Sequence, residues 1–484
     1  MDGWIVLFIV AAYFGVLLLV SQIAGRKRSD NEAFFLGNRQ SPWYVVAIGM
    51  VGASLSGVTF VSVPGYVRQT DMTYMQMVVG FFFGYVVIAK ILLPLYYKLK
   101  LTSIYSCLTS RMGRSGYLTG ASFFLLSKTV GGAARLYIVV LILQNYVLNR
   151  WHIPFAVTTV ACILLVWLYT YRSGIRAIIW TDMLQTVCMI GMLALIIWQV
   201  GSRMGLDFGG MVRVIEESPH FRIFEWDWGD RQNFFKQFVS GIFITIVMTG
   251  LDQDMMQKNL SCKNLKDAQK NMYLYGIAFT PVNLLFLCLG VLLVAFAAQN
   301  GINLPASNDE ILPMFCTSGL LGQSVLVFFT IGIIAAAFSS IDSALTALTT
   351  SFCVDILGIG REEALKAKRT RMKVHVAISL LFVIIIMLFK YLNSMSLIDA
   401  IYTIASYTYG PLLGLFAFSL FTRRIPHKRW IPYLCVLSPL ICLALHYVIL
   451  WFAGYRFGYE MLLLNGALTF GGLWCFSHSP GKES

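Results

Sequence analysis

The chain alternates long apolar runs with short polar segments. Crossing the roughly 30 Å hydrocarbon core of a bilayer takes about 20 apolar residues in an α-helix. The pattern therefore predicts an all-α membrane protein with about thirteen transmembrane helices, at 3–23, 41–66, 73–98, 116–147, 151–171, 176–202, 233–258, 270–299, 323–357, 371–390, 396–421, 429–451 and 457–477.

Composition supports this class and excludes several others. Of the 484 residues, 58% are apolar and only 12% are charged, which is not the composition of a soluble globular protein. The six histidines lack metal-ligand spacing, and only Cys316 of the ten cysteines is expected in an external loop, so a disulfide framework is not predicted. Neither a nucleophile motif nor a metal cluster is present, and we expect that the protein is not an enzyme.

Basic residues predict the orientation. They concentrate in the odd-numbered loops, for example Arg26, Lys27, Arg28 and Arg39 in the first loop and Lys258, Lys263, Lys266 and Lys270 in the seventh. Positively charged loops stay in the cytoplasm, so the N-terminus is expected outside and the C-terminus inside. The net charge of +14 is thus mainly a topology signal, and a nucleic-acid partner or an obligate protein partner is not expected.

The spacing of the runs predicts an internal repeat. The longest predicted external loop, 203–232, separates five spans in 41–202 from five spans in 233–421, with 1–40 before them and two spans in 422–484 after them. Because five is odd, the second group enters from the opposite side of the membrane, as inverted repeats require.

Small and polar residues interrupt the first helix of each predicted repeat. Gly49, Gly52 and Gly57 lie in one, the last two within GASLSGVTF (52–60), and Gly241 with Gly250 lies in the other. Glycine lowers the cost of leaving helical geometry, and an unwound helix exposes carbonyl oxygens that can coordinate an ion. Close packing of small residues between helices is the alternative explanation.

The ninth span carries hydroxyls and a carboxylate where lipid-compatible residues are expected. Ser339, Asp342 and Ser343 share one helix face, and Ala336 and Ser340 lie on its flank. Hydroxyls with freed carbonyls suit a hard cation such as Na⁺. Asp182 in the sixth span is the second buried acid, and the length of the ninth span could bring Asp342 toward it.

Arg135 lies midway along the fourth span, too deep to reach either interface easily. Its guanidinium needs an anion. Either it forms a structural ion pair with Asp182 or Asp342, or it holds an acidic solute. Lys128 is expected to extend inward toward the interface.

These residues resemble the sodium:solute symporters, which share the LeuT-like inverted-repeat fold. The resemblance spans the chain through the helix plan, the segment 174–185, the segment 252–257 and the pair Ser339-Ser340. It implies a five-plus-five repeat with one helix before and two after, and Na⁺ as the coupling ion, one or two per cycle. The implied main Na⁺ site uses Gly52, Leu55, Ala336, Ser339 and Ser340, and a further site uses Asp182, Ser339, Asp342 and Ser343.

Within that family, GASLSGVTF and Arg135 look most like bacterial sialic acid transporters. The resemblance implies a substrate pocket lined by Ser54, Ser56, Thr59 and Arg135, an aromatic gate at Tyr74, and a place in a bacterial inner membrane. Those transporters have serine at the position of Asp342, so the ion count and proton coupling stay open.

The expected function is sodium-coupled import of a small anionic solute, such as a carboxylated sugar, by alternating access. The alternatives are a sodium symporter for a neutral sugar, a monocarboxylate or an amino acid with Arg135 in a structural ion pair, and an ion channel or sensor without coupled transport.

Overall fold

A computed structural model describes residues 3–25, 36–148, 151–170, 174–359, 364–392 and 397–479. These residues are folded mainly as α-helices. In chain order the helices are α1 Gly3–Gly25, α2 Trp43–Ser54, α3 Gly57–Thr70, α4 Tyr74–Val87, α5 Leu93–Lys98, α6 Thr109–Ile142, α7 Phe155–Thr170, α8 Gly174–Arg203, α9 Phe208–Glu216, α10 Phe234–Thr245, α11 Gln253–Leu260, α12 Leu265–Gln299, α13 Ile311–Thr317, α14 Gln323–Ser351, α15 Ala364–Leu392, α16 Leu397–Thr408, α17 Gly410–Phe421, α18 Trp430–Ala453 and α19 Met461–Cys475.

Short non-α segments join or extend several of these helices. Three are 3₁₀ helices, at Gly37–Arg39, Ile104–Leu108 and Asn308–Glu310, and four are π-helical, at Ile88–Leu92, Leu143–Leu148, Ile246–Gly250 and Phe352–Ile356. Strands β1 Ile425–Pro426 and β2 Ser477–His478 pair antiparallel and bring the residues just after α19 against the α17–α18 connection.

The predicted helical class is correct, and the predicted count of thirteen spans is not confirmed. Within the described ranges, seven helices are long and apolar enough to cross a membrane, and up to ten if each of three bent helix pairs counts as one span. Three further apolar helices are shorter, at Val10–Ile23, Phe155–Leu168 and Met461–Cys475. Length alone therefore does not confirm these three as spans.

Both predicted helix interruptions are present. Helices α2 and α3 meet at 58°, and the segment Phe234–Gly250 meets α11 at 65°. A third bend of 43°, between Ile401–Thr408 and α17, was not predicted. Each bend takes backbone groups out of the helical hydrogen-bond ladder, which is tolerated at membrane depth only where protein surrounds them.

The first broken helix packs closely on α8. A side-chain carbon at Gly52 would overlap Thr186, and one at Gly49 would lie 3.1 Å from the Cβ of Asp182. Helix α14 packs on the same helix α8. The absence of side chains at these glycines therefore brings the break in α2–α3, Asp182 and the polar face of α14 into one region.

Helices α4 and α10 also cross at glycines. A Cβ at Gly80 would overlap the Phe238 carbonyl, and a Cβ at Gly241 would overlap the Met77 carbonyl. The crossing thus joins a helix of the first predicted repeat to the broken helix of the second.

Replacing Gly241 with alanine should lower the melting temperature of the purified protein in detergent. The added methyl group meets a backbone carbonyl that cannot rotate away, and overpacking of this kind costs about 1–3 kcal/mol. Gly191→Ala is the matched control, because a Cβ at Gly191 has no atom within 4 Å and alanine favours the helix. Equal melting temperatures for Gly241→Ala and Gly191→Ala would show that the crossing can relax.

The segment 203–232 is hydrogen-bonded to the residues that follow α3. Asp71 accepts hydrogen bonds from His220 Nδ1 at 2.9 Å and from Arg222 Nε at 3.0 Å, and the Met72 amide donates to the Arg222 carbonyl at 3.1 Å. Gln76 Nε2 also donates to the Gln232 carbonyl at 2.8 Å. The segment is therefore an ordered part of the fold rather than a loose connection.

Cys316 lies in the predicted connection between α12 and α14, where it is buried in the short helix α13. All ten cysteines lie in described residues, and all are free thiols.

Candidate functional site

The break between α2 and α3 frees backbone carbonyls. The Ser56 amide donates to the Ser54 carbonyl at 2.9 Å, so the helical bond to Gly52 four residues earlier is not made. Helical bonding resumes where the Phe60 amide donates to Ser56, one residue after the Leu55 carbonyl. The carbonyls of Gly52 and Leu55 are therefore outside the helical ladder on either side of the break.

Helix α14 meets this break through Ser340. The Ser340 hydroxyl lies 3.4 Å from the Ala53 carbonyl and 3.1 Å from the Ala336 carbonyl. Of the residues predicted for the main Na⁺ site, Ala336 and Ser340 thus meet the break at Ala53. Ala53 lies between Gly52 and Leu55 in the chain, and Ser339 is next to Ser340 on α14. Carbonyl and hydroxyl oxygens are neutral donors that suit a hard, singly charged cation.

The four residues predicted for a further Na⁺ site form a second cluster beside the first. Ser339 donates to Asp182 Oδ1 at 2.7 Å, and the Ser343 hydroxyl lies within hydrogen-bond distance of both Asp182 Oδ2, at 3.4 Å, and Asp342 Oδ1, at 3.2 Å. All four residues are buried. The inferred approach of Asp342 to Asp182 is therefore present, with Ser343 between them.

A lysine that sequence reasoning missed also enters this cluster. Lys258, predicted in a cytoplasmic loop, lies in α11 with 1% of its surface exposed. Its Nζ is 2.8 Å from Asp182 Oδ2 and 3.8 Å from Asp254 Oδ1. The loop assignment was wrong because the 65° bend carries α11 back against the bundle. The four-residue spacing from Asp254 to Lys258 was the available signal in the sequence.

Lys128, which was expected to extend toward the interface, is also paired in the interior. Its Nζ lies 2.7 Å from Asp254 Oδ2 and 3.2 Å from Asp252 Oδ2, and the Tyr409 hydroxyl donates to Asp252 Oδ2 at 2.7 Å. Asp252 also caps α11 by accepting from the Asp254 amide at 2.9 Å. An unpaired charge near the bilayer centre costs at least about 2.5–3.5 kcal/mol, so this network makes the buried carboxylates tolerable.

The predicted substrate residues Ser54, Ser56, Thr59 and Arg135 line one cavity between the two broken helices. Ser340 lines the same cavity, so a single hydroxyl borders both the ion contact and the open space. Ser54 shares a short hydrogen bond with the hydroxyl of Tyr275, which also accepts from Tyr85 at 2.8 Å.

Tyr74, the predicted gate, lies one layer outside this cavity. Its hydroxyl is 2.9 Å from the hydroxyl of Tyr402, which does line the cavity. Tyr74 is buried and packs edge-on against Phe81. The pair of tyrosines therefore closes one side, and the Lys128 network borders another.

Arg135 forms no ion pair within 4 Å with a carboxylate among the residues that the structure describes, and Asp254, which lines the same cavity, is paired with Lys128. Neither the predicted pairing with Asp182 nor that with Asp342 is formed, and Asp182 is instead bound by Lys258. Arg135 lines the cavity together with hydroxyl groups. Its guanidinium is available to an anion that enters this space.

A helical bundle with broken helices, carbonyl and hydroxyl oxygens gathered at one break and a polar cavity beside it is typical of secondary transporters of LeuT-like fold. The chain belongs to the sodium:solute symporter family, whose model matches residues 34–428, and it is accordingly a multi-pass membrane protein with Na⁺ as coupling ion.

Two curated relatives are similar over most of their length. The sodium/sialic acid symporter SiaT of Proteus mirabilis is 24% identical, covering 87% of this chain and 86% of its own. The sodium/sialic acid symporter NanT of Aliivibrio fischeri is 27% identical, covering 85% and 82%.

Solved structures agree on the fold. A Na⁺-coupled sialic acid symporter in a substrate-bound, outward-open state matches with a TM-score of 0.84 at 21% identity over 99% of both chains. The transporter Mhp1, in a closed conformation, matches with a TM-score of 0.54 at 13% identity over 91% of this chain and 93% of its own. The predicted LeuT-like fold is thus confirmed.

Proposed function

We propose that this protein imports a carboxylated sugar, such as sialic acid, together with Na⁺ by alternating access. The observation that carries the proposal is Arg135, which lines a polar cavity with several hydroxyl groups and forms no ion pair within 4 Å with a carboxylate of the described residues. A guanidinium binds a carboxylate through two parallel hydrogen bonds, and the cavity serines and threonine can bind sugar hydroxyls. The similarity to SiaT and NanT supports the same solute class.

Na⁺ would bind first at the break in α2–α3. Ser340 contacts the Ala53 carbonyl there and also lines the cavity, next in space to the segment that carries Ser54 and Ser56. An ion at this contact fixes the broken backbone, and a fixed backbone holds the cavity hydroxyls in place for the solute. This sequence of events couples the two binding steps.

The two sides of the cavity would open in turn. In the predicted orientation, with the N-terminus outside and the C-terminus in the cytoplasm of a bacterial cell, Tyr74 and Tyr402 face outward. The Lys128–Asp254 and Lys128–Asp252 pairs then form the inner barrier, and release to the cytoplasm requires them to separate or shift. Each tenfold Na⁺ gradient contributes about 1.4 kcal/mol to uptake.

Thermal-shift measurements on the purified protein test the solute class. The panel contains sialic acid, other sugar acids, neutral sugars, short monocarboxylates and amino acids, each in Na⁺ and in K⁺. We expect sialic acid to raise the melting temperature in Na⁺ and not in K⁺; at 100 times its Kd a ligand stabilises the folded state by about 2.7 kcal/mol. A larger shift with a neutral sugar, or equal shifts in both salts, would contradict the proposal.

A further inference from the structure

We propose that the ammonium group of Lys258 takes the place of a second Na⁺, so that one Na⁺ drives each solute molecule. The inference rests on the proposed function and specifies its ion count. It replaces the further Na⁺ site that the sequence resemblance implied at Asp182, Ser339, Asp342 and Ser343.

The first argument is that Lys258 already holds the oxygen that an ion would need. Asp182 Oδ2 lies 2.8 Å from Lys258 Nζ and 3.4 Å from the Ser343 hydroxyl, and Asp182 Oδ1 accepts from Ser339. A carboxylate offers about four acceptor positions, and three are in use. An ion at Oδ2 would also lie within about 5 Å of the ammonium charge, where repulsion in a buried site is strong.

The contrast with the neighbouring ion contact is the second argument. There the oxygens in contact are the carbonyls of Ala53 and Ala336 and the hydroxyl of Ser340, beside the predicted ligands Gly52 and Leu55, and no lysine or arginine of the described residues bonds to those three oxygens. Because no cationic side chain bonds to these neutral oxygens, Na⁺ can bind to them. The Asp182 cluster has the opposite arrangement, with the carboxylates of Asp182 and Asp342 and, at Asp182, a cation that belongs to the protein.

Burial is the third argument. Lys258 is 1% exposed and Asp182 is fully buried, so neither charge is compensated by water. Removing one partner of a buried pair leaves the other charge uncompensated. The carboxylate therefore needs a cation throughout the cycle, and a lysine on α11 supplies one that is never released to the cytoplasm.

The ion count has a consequence for driving force. One Na⁺ with one univalent anion moves no net charge, so a tenfold Na⁺ gradient supports at most about tenfold accumulation at any membrane potential. Two Na⁺ would allow about hundredfold accumulation from the same gradient, and the membrane potential would add to it.

Counting bound Na⁺ tests the proposal without any solute. Radioactive Na⁺ is titrated onto purified full-length protein, and the saturating amount per chain is measured for the wild type, Lys258→Arg and Lys258→Met. We expect one ion for the wild type and for Lys258→Arg, which keeps the cation. We expect two ions for Lys258→Met, because Asp182 is then free to bind the second.

The outcomes separate the two proposals. Two Na⁺ per wild-type chain, or one Na⁺ per Lys258→Met chain, overturns the role of Lys258 and leaves Na⁺-coupled transport intact. No bound Na⁺ in the wild type would overturn the proposed function itself. If Lys258→Met does not fold, uptake of sialic acid into proteoliposomes by the wild type tests the ion count. Uptake that an imposed membrane potential does not change supports one Na⁺ per solute molecule. Uptake driven by the potential overturns that count.

Discussion

Replacing Ser340 with alanine should abolish Na⁺-dependent uptake at ordinary Na⁺ concentrations while the protein stays folded. The Ser340 hydroxyl is the group of α14 that reaches the broken backbone at the Ala53 carbonyl. Loss of outer residues around a metal typically weakens binding by about 10–100-fold, so loss of a direct oxygen ligand should weaken Na⁺ activation by at least about 100-fold. Uptake of radiolabelled sialic acid into proteoliposomes, measured against Na⁺ concentration, checks this.

Ser379→Ala is the matched control for this change. Ser379 is also a buried serine of a long apolar helix, but its hydroxyl donates to the His375 carbonyl of its own turn at 2.8 Å, away from the cavity. We expect Ser379→Ala to keep the Na⁺ dependence of the wild type. Unchanged uptake by Ser340→Ala would remove Ser340 from the ion site.

Replacing Arg135 with glutamine should selectively weaken carboxylated solutes. Losing one partner of a buried, charged hydrogen-bonded pair costs about 2–5 kcal/mol, and 3 kcal/mol corresponds to about 150-fold in affinity. The affinity for sialic acid, measured from the thermal shift in Na⁺, should fall by about this factor. Binding of Na⁺ alone should stay close to that of the wild type, since the ion contact does not include Arg135.

Lys90→Gln provides the control for removing a positive charge from a helix of the same domain. Lys90 is exposed in the π-helical segment Ile88–Leu92, so its loss should not change solute affinity. If Arg135→Gln binds sialic acid as the wild type does, the guanidinium serves the structure, and a neutral solute becomes the better candidate.

The features that were predictable from sequence are those that depend on short stretches of neighbouring residues. Glycines with serines inside an apolar run marked the break at Ser54–Gly57, and helical periodicity placed Ser339 and Ser343 on the face that meets Asp182. Fold class followed from the length and number of the apolar runs. These properties depend on residues close together in sequence.

The ion pairs that could not be predicted depend on the direction that the chain takes after a bend in a helix. From the sequence, Lys258 and Lys128 were expected near the membrane interface. The hydropathy pattern does not show that α11 turns back into the bundle, where both lysines are paired. Their carboxylate partners lie 76 and 124 residues away in the chain, at Asp182 and Asp252. The bend before Gly410 was missed for a similar reason: its neighbours, including Asn465 against Gly410, come from a distant helix.

The shared position of Ser340 sets a thermodynamic rule for the transporter. Ser340 contacts the broken backbone at the proposed Na⁺ position and also lines the cavity. If Na⁺ and solute bind there as proposed, whatever factor Na⁺ adds to the affinity for solute, the solute must add to the affinity for Na⁺. Low external sodium would then be offset in part by abundant nutrient. A cell that carries this protein would scavenge most effectively when both partners are plentiful.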